Sequence, residues 1–215
     1  MIFYATALSS YSAKTRIVLV AKGVPFEERE PPGGYRSAEY RAIVPMGTVP
    51  AIVDGGPALS ESEVIHEYLE ERFPRPSLLP GTADERARIR FLGRFHDLYL
   101  EPAVRQLFPQ VRADGGDPET VTALAAQIDR RLAQLAGLIR PRPFLASDVL
   151  TLADCGFAVT IPLACRLLAA LGRPPTLPAE IAGWLPQVAA HRAVATALSA
   201  WGPATDHWIR SRRGA

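Results

Sequence analysis

The chain has 215 residues, 48% apolar and 21% charged, enough for one large domain or two small ones with buried cores. Its 24 basic and 22 acidic residues leave a net charge of +2, and no basic block exceeds Arg212-Arg213, which argues against a nucleic-acid partner. The amino end shows no basic segment leading into an apolar run, and the apolar stretch Phe157–Leu171 is too short to span a bilayer, so a cytoplasmic protein off the membrane is expected.

In chain order, Met1–Ala5 reads as a strand and Ser12–Lys22 as an amphipathic helix ended by Gly23 as a left-handed cap. Val24–Glu30 alternates like a second strand. Pro31-Pro32-Gly33-Gly34 is a loop, and Ser37–Ile43 a short helix. Val49–Val53 and Pro57–Leu59 flank Asp54-Gly55-Gly56, a hairpin signal. Ser60 and Glu63 have the spacing of a capping box for a helix through Phe73. The order is βαβαββα over residues 1–79.

Past Pro74, Pro76 and Pro80 every element is helical, which puts a linker at 80–84 and a second domain at 85–215. Thr82 and Glu85 make a capping box for a long helix that bends near Pro102 and ends near Pro109. Asp117 caps the next, with Pro118 at its first position. Thr151 and Asp154 open a helix apolar to Leu171, which belongs at the centre of a bundle. Helices over Pro178–His191 and Ala193–Trp201 complete the chain. Cys155 and Cys165 share the central helix about 15 Å apart, too far to bridge; both read as core thiols. His66, His96, His191 and His207 show no metal-ligand spacing, so no metal is expected.

Ser9-Ser10-Tyr11-Ser12 carries the chemistry. It stands where a βα unit with a C-x-x-C pair would exchange disulfides. A hydroxyl cannot do that, but it can donate a hydrogen bond to a thiolate supplied by another molecule.

The whole chain resembles the cytosolic glutathione transferase family: an α/β thioredoxin-like N-terminal domain joined to an all-α C-terminal helical bundle domain. Five signals carry the resemblance: the serine turn before Thr15-Arg16-Ile17, Val49-Pro50, Glu61-Ser62, the Thr151–Asp154 box and the Trp184 region. Ser9–Arg16 looks most like the zeta class of maleylacetoacetate isomerases, with Tyr11 in place of that class's cysteine. The departure weighs against isomerase and dehalogenase chemistry, and the missing cysteine against disulfide reduction.

The resemblance implies a homodimer that uses glutathione as cosubstrate, with Ser9 donating to the sulfur, Ser10 helping, and Tyr4 a rival donor. Tyr11 would line the electrophile pocket. A cis Pro50 would turn the Val49 backbone towards the cysteinyl unit. The Ser62 N–H and hydroxyl would hold the γ-glutamyl carboxylate and Glu61 its ammonium; Arg36 or Lys14 would hold the glycyl carboxylate. His96, Tyr99, Arg105 and Phe108, at helical spacing, are candidates for the electrophile pocket. Arg166, a guanidinium in an apolar helix, needs an anion: a substrate carboxylate, as in zeta-type isomerases, or an acidic side chain. Conjugation to a small electrophile is the first reading; cis-trans isomerisation and a non-enzymatic ligand-binding role are the alternatives.

Overall fold

The computed structural model describes residues 1–214. Strand β1 (Ile2–Tyr4) alternates its side chains across the sheet. Phe3 meets Phe26 edge-on at 5.6 Å in the main core, while Tyr4 meets Tyr40 at 5.4 Å in a smaller cluster. The sheet order is β2-β1-β3-β4. β1 runs parallel to β2 (Glu27–Arg29) and antiparallel to β3 (Ala51–Val53), which forms a hairpin with β4 (Leu59–Ser60). β2 is shorter than the Val24–Glu30 run expected, because only three residues pair. Their side chains are exposed, and an Arg29–Glu27 ion pair of 2.7 Å lies on this edge, where charge discourages pairing with another chain.

Helix α1 (Ser10–Ala21) starts two residues earlier than the sequence suggests, because Ser9 is its N-cap: the Ser9 hydroxyl oxygen accepts the Ser12 N–H at 3.1 Å. At the other end Lys22 is buried. Its Nζ donates to the Phe73 and Pro76 carbonyls at 2.7 and 3.0 Å and pairs with Glu70 at 2.7 Å, fastening α1 to the end of α3 (Ser62–Arg72). Helix α2 (Ala38–Arg41) is a single turn capped by Ser37.

The all-helical half begins with α4 (Ala83–Phe95), whose Thr82–Glu85 capping box forms as expected. The bend before Pro102 is a wide π turn over His96–Leu100, in which the Glu101 N–H reaches back to the His96 carbonyl. Proline clashes with the carbonyl four residues before it, and a wider turn relieves that. Next come α5 (Glu101–Arg105), α6 (Pro118–Leu138) capped by Asp117, α7 (Leu152–Ala170), α8 (Ala179–Ala190) and α9 (Arg192–Leu198). A last helix, α10 (Trp201–Arg213), is not foreseen from the sequence. Pro203 is the third residue of the helix, where an N–H has no intrahelical partner to lose.

α7 opens at the Thr151 cap as expected, and although the apolar run from Phe157 is short, the whole helix of 19 residues matches a membrane span in length and composition. It is instead the buried axis of the bundle. Cys155 is fully buried on it, whereas Cys165 is only half-buried, a correction to the expectation of two core thiols. One continuous core runs from Phe3 and Ile17 through Leu92 and Phe157 to Trp184, so the sheet half and the helical half share a single apolar interior.

Candidate functional site

The sequence places a capping box at Ser60 and Glu63, and the structure corrects it. The N-cap of α3 is Glu61, held at φ 72° with no side-chain cap. Left-handed backbone on such a residue costs about 1–3 kcal/mol and is concentrated at functional sites. The Glu63 carboxylate turns away to accept from Lys14 Nζ at 2.8 Å and lies 3.4 Å from His66 Nδ1. The start of α3 is therefore left with N–H groups that no side chain caps, an arrangement that favours an anion.

That helix start forms one wall of a cavity of 440 Å³, with Tyr11, Thr48, Val49, Pro50 and Asp97 among the others. Ser62 is buried there, Glu61 is exposed, and the Val49–Pro50 peptide is cis. The Thr48 hydroxyl oxygen is buried without a partner among the described residues. The cavity thus offers uncapped N–H groups, an unpartnered hydroxyl, and the carboxylates of Glu61 and Asp97. A molecule carrying both a carboxylate and an ammonium suits it.

Beneath the cavity lies a buried charge network. Lys14, 1% exposed, bridges Glu63 of α3 and Asp97 of the π turn at 2.8 and 2.7 Å. Asp97 also lies 2.6 Å from His96 Nδ1, and His96 Nε2 lies 2.7 Å from the Thr160 hydroxyl. Burial alone would raise the Glu63 carboxyl, but its bond to His66 and the Lys14 ammonium hold it well below the usual carboxylate range. Asp97 is lowered likewise, its burial outweighed by His96 and Lys14, while burial depresses His66. Lys14 is thereby committed to two carboxylates and is withdrawn as a holder of the glycyl carboxylate. Arg36 is exposed, at φ 68°, and is not one of the cavity walls.

The three residues of the first turn have different surroundings. Ser9 accepts one N–H and donates to nothing among the described residues, so its hydroxyl hydrogen is free. Ser10 is buried, and its hydroxyl donates to Glu101 Oε1 at 2.7 Å; Glu101 is paired in turn with Arg105. The hydrogen of Ser10 is thus spent on joining α1 to α5. Tyr11 lines the cavity with its ring under two cations, Lys14 Nζ and the Arg105 guanidinium each 5.3 Å from its centroid. Burial, then Glu101 and Asp97, raise its phenol far above the ordinary value, so it stays protonated. Tyr4 packs against Tyr40, and of the candidate donors Tyr4, Ser9 and Ser10 none is a cavity wall; Ser9 adjoins it at the start of the helix that carries Tyr11.

The structure does not bring the expected electrophile-pocket residues together. His96 is 1% exposed and packs so tightly that a Cβ at Gly156 would lie 2.8 Å from its ring. Tyr99 is exposed in a different groove between α4 and α6, under Arg131. Arg166 lines a third cavity and pairs with Asp206 at 2.9 Å. The π turn is one physical reason: its extra residue rotates the downstream helix by roughly 100° and breaks the 3.6 periodicity that aligned 96 with 99 and 105. Arg105 does reach the first turn, and Phe108 packs on Trp208 of α10 at 5.0 Å. Sequence reasoning missed the Lys14–Glu63–Asp97 bridge. Its signal was a lysine on a helix face otherwise made of Ile17, Val18 and Ala21, since a buried ammonium requires anions.

Comparison with known proteins agrees with this geometry. A family model described as the glutathione S-transferase N-terminal domain matches residues 3–77. A maleylpyruvate isomerase from a Ralstonia species is 33% identical, over 68% of this chain and 74% of that one. A stringent starvation protein A homolog from Coxiella burnetii is 32% identical, over 78% and 76%. Among solved structures, a holo maleylpyruvate isomerase described as a bacterial zeta-class glutathione S-transferase superposes with a TM-score of 0.74 at 27% identity, covering 92% of this chain and 96% of that one. Sheet topology, buried central helix and sequence agree: this chain belongs to the glutathione S-transferase family.

Proposed function

We propose that the protein holds glutathione in the 440 Å³ cavity, ionises its thiol with the Ser9 hydroxyl and adds it to a small electrophile. The observation that carries the reading is the uncapped start of α3, a ready carboxylate site in the same cavity as Tyr11. Ser62, through its N–H and hydroxyl, takes the γ-glutamyl carboxylate; Glu61 and Asp97 take the ammonium; the Val49 backbone takes the cysteinyl amide. A free thiol titrates near ~8.5, and lowering it by about two units requires ~2.7 kcal/mol. One hydroxyl hydrogen bond and the positive end of α1 supply roughly that much. Ser9 already accepts from the Ser12 N–H, which polarises its O–H towards the sulfur. The electrophile sits beside Tyr11 and Arg105, and the neutral phenol serves as a donor to it.

The protein acts as a cytoplasmic homodimer in detoxification. Val64, Phe91, Leu98 and Tyr99 are about half exposed, and Val64 and Leu98 also rim the cavity; a second copy on this face covers the apolar groove and closes the site. In this reading Tyr99 belongs to the subunit interface and His96 to the support of Asp97.

The test is conjugation kinetics with thiol titration. Ser9→Ala lowers kcat/KM about 10- to 100-fold and raises the pKa of the bound thiol by one to two units. Ser10→Ala leaves that pKa in place. Unchanged kinetics in Ser9→Ala, or no calorimetric binding of glutathione, would falsify the reading. The maleylpyruvate isomerase neighbours favour a second reaction, cis-trans isomerisation of a small unsaturated acid with glutathione regenerated, read as turnover without thiol consumption. The stringent starvation protein homologs favour a binding role, read as retention on immobilised glutathione with no turnover of either kind.

A further inference from the structure

Two cations border the Tyr11 ring, Lys14 Nζ and the Arg105 guanidinium, each 5.3 Å from its centroid. Neither charge is free. Lys14 is bonded to Glu63 and Asp97 at 2.8 and 2.7 Å, and Arg105 is paired with Glu101. Three carboxylates therefore answer two cations around Tyr11. Arg94 is the basic residue of the cavity walls, and it stands beside the start of α3: a Cβ at its neighbour Gly93 would lie 2.8 Å from Glu63 Oε2.

Glu101 is the unusual member of this set. It is 2% exposed at the first residue of α5, and a buried carboxylate is tolerated only where partners meet it. Its Oε1 accepts the Ser10 hydroxyl at 2.7 Å and Arg105 Nη2, and its Oε2 accepts Arg105 Nε at 3.2 Å. Joining α1 to α5 through Ser10 needs only a neutral acceptor. The negative charge is accounted for by Arg105, whose side chain is 51% exposed and which without Glu101 would present a bare cation beside Tyr11. With Glu101 in place Arg105 keeps donors but no surplus charge, and its Nη1 has no partner among the described residues.

We propose that Glu101 is a positioning residue that acts through Arg105 and sets this site for uncharged electrophiles. The inference rests on the transferase reading and narrows its substrate class to molecules whose acceptor is a carbonyl or nitro oxygen. Such a dipole needs donors alone, and the Arg105 N–H and the Tyr11 phenol supply them. An anion would meet the glutathione thiolate and Glu101, with the positive charge of Arg105 already taken. A small unsaturated acid is accordingly the poorer fit, which separates addition to a neutral molecule from isomerisation of an acid.

The probes are 4-chloro-3,5-dinitrobenzamide and 4-chloro-3,5-dinitrobenzoate, which differ in charge opposite the reacting carbon. In each, the glutathione sulfur forms a C–S bond at the carbon bearing chlorine, chloride leaves with the bonding pair, and the thiol proton goes to solvent. Each kcat/KM is divided by the uncatalysed rate constant with free glutathione, which removes the difference in ring reactivity. The wild type favours the amide by about tenfold. Glu101→Gln, which keeps an acceptor for Ser10, moves that ratio about tenfold towards the benzoate. Arg105→Gln, which leaves Glu101 unanswered, moves it the other way, and the double variant returns to within about threefold of the wild type. Damage to packing lowers both rates together and cannot shift their ratio in opposite directions. Three results overturn the proposal: a wild type that does not favour the amide, an unchanged ratio in Glu101→Gln, or shifts of the same sign in the two single variants. Any of these leaves the transferase reading standing, whereas turnover of neither probe by the wild type overturns that reading and this inference with it.

Discussion

Two helix starts that look alike in the sequence do opposite things. Thr151-x-x-Asp154 and Ser60-x-x-Glu63 both have capping-box spacing. At α7 the box closes: Asp154, fully buried, accepts the Thr151 N–H and O–H at 2.9 and 2.8 Å, the Leu145 N–H at 2.9 Å and the Trp184 indole N–H at 3.0 Å. At α3 it does not close, because Glu63 is drawn to Lys14 and the N-cap passes to a strained Glu61. The closed start nails the bundle together through α7 and α8. The open one keeps its N–H groups for something that arrives from outside. The difference lies in the neighbour: a buried lysine beside Glu63, and at Asp154 only neutral donors.

The contrast can be broken at the closed end first. Asp154→Ala strands four buried donors and lowers stability by about 3–5 kcal/mol, read by denaturant unfolding; a loss under about 1 kcal/mol would mean that the box is ornamental. At the open end, Lys14→Met takes the ammonium from Glu63 and Asp97, leaving them only His66 and His96, and costs about 3 kcal/mol at neutral pH. Acidification restores part of it as those carboxyls protonate, the reverse of the wild type.

In the wild type, the depressed folded-state values of Glu63 and Asp97 give stability that is complete above the ordinary carboxylate range and lost below it. His66, also depressed, adds a term present above about 6.5 and lost as pH falls, at most ~1.4 kcal/mol per pH unit. Melting profiles between neutral and mildly acid pH should therefore slope downward, and His66→Gln should flatten that window. The smallest effect sharpens the contrast most. Glu61→Gly removes a strained φ and changes stability by no more than about 1 kcal/mol, in the favourable direction, yet weakens glutathione binding in calorimetry. Equal losses of stability and affinity would show that Glu61 is scaffold only.

Most of the architecture was legible because it rests on local signals. The βαβαββα order, the Asp54-Gly55-Gly56 hairpin, the Thr82 and Asp117 caps and the apolar α7 all come from periodicity and turn chemistry. Ser9, Val49-Pro50 and Glu61-Ser62 were expected as a set because their order along the chain is itself a pattern, and the structure brings Val49, Pro50, Glu61 and Ser62 to one cavity. The features that escaped depend on partners distant in sequence. The diversion of Glu63 is decided by Lys14, 49 positions away, and the commitment of Ser10 by Glu101, 91 positions away. The π turn at His96 could not be read from Pro102 alone, since a proline signals a bend without saying how many residues the turn absorbs.

Because α1 is tied across to the helical half at two points, Ser10 to Glu101 and Lys14 to Asp97, the proline-rich stretch near residue 80 is a poor place to cut and paste. A chimera joining this first half to the helices of another family member would inherit a hydroxyl and an ammonium facing strangers. Swaps that carry residues 10, 14, 97 and 101 as one cassette should fold and turn over; swaps that split them should not, however well the linker is matched.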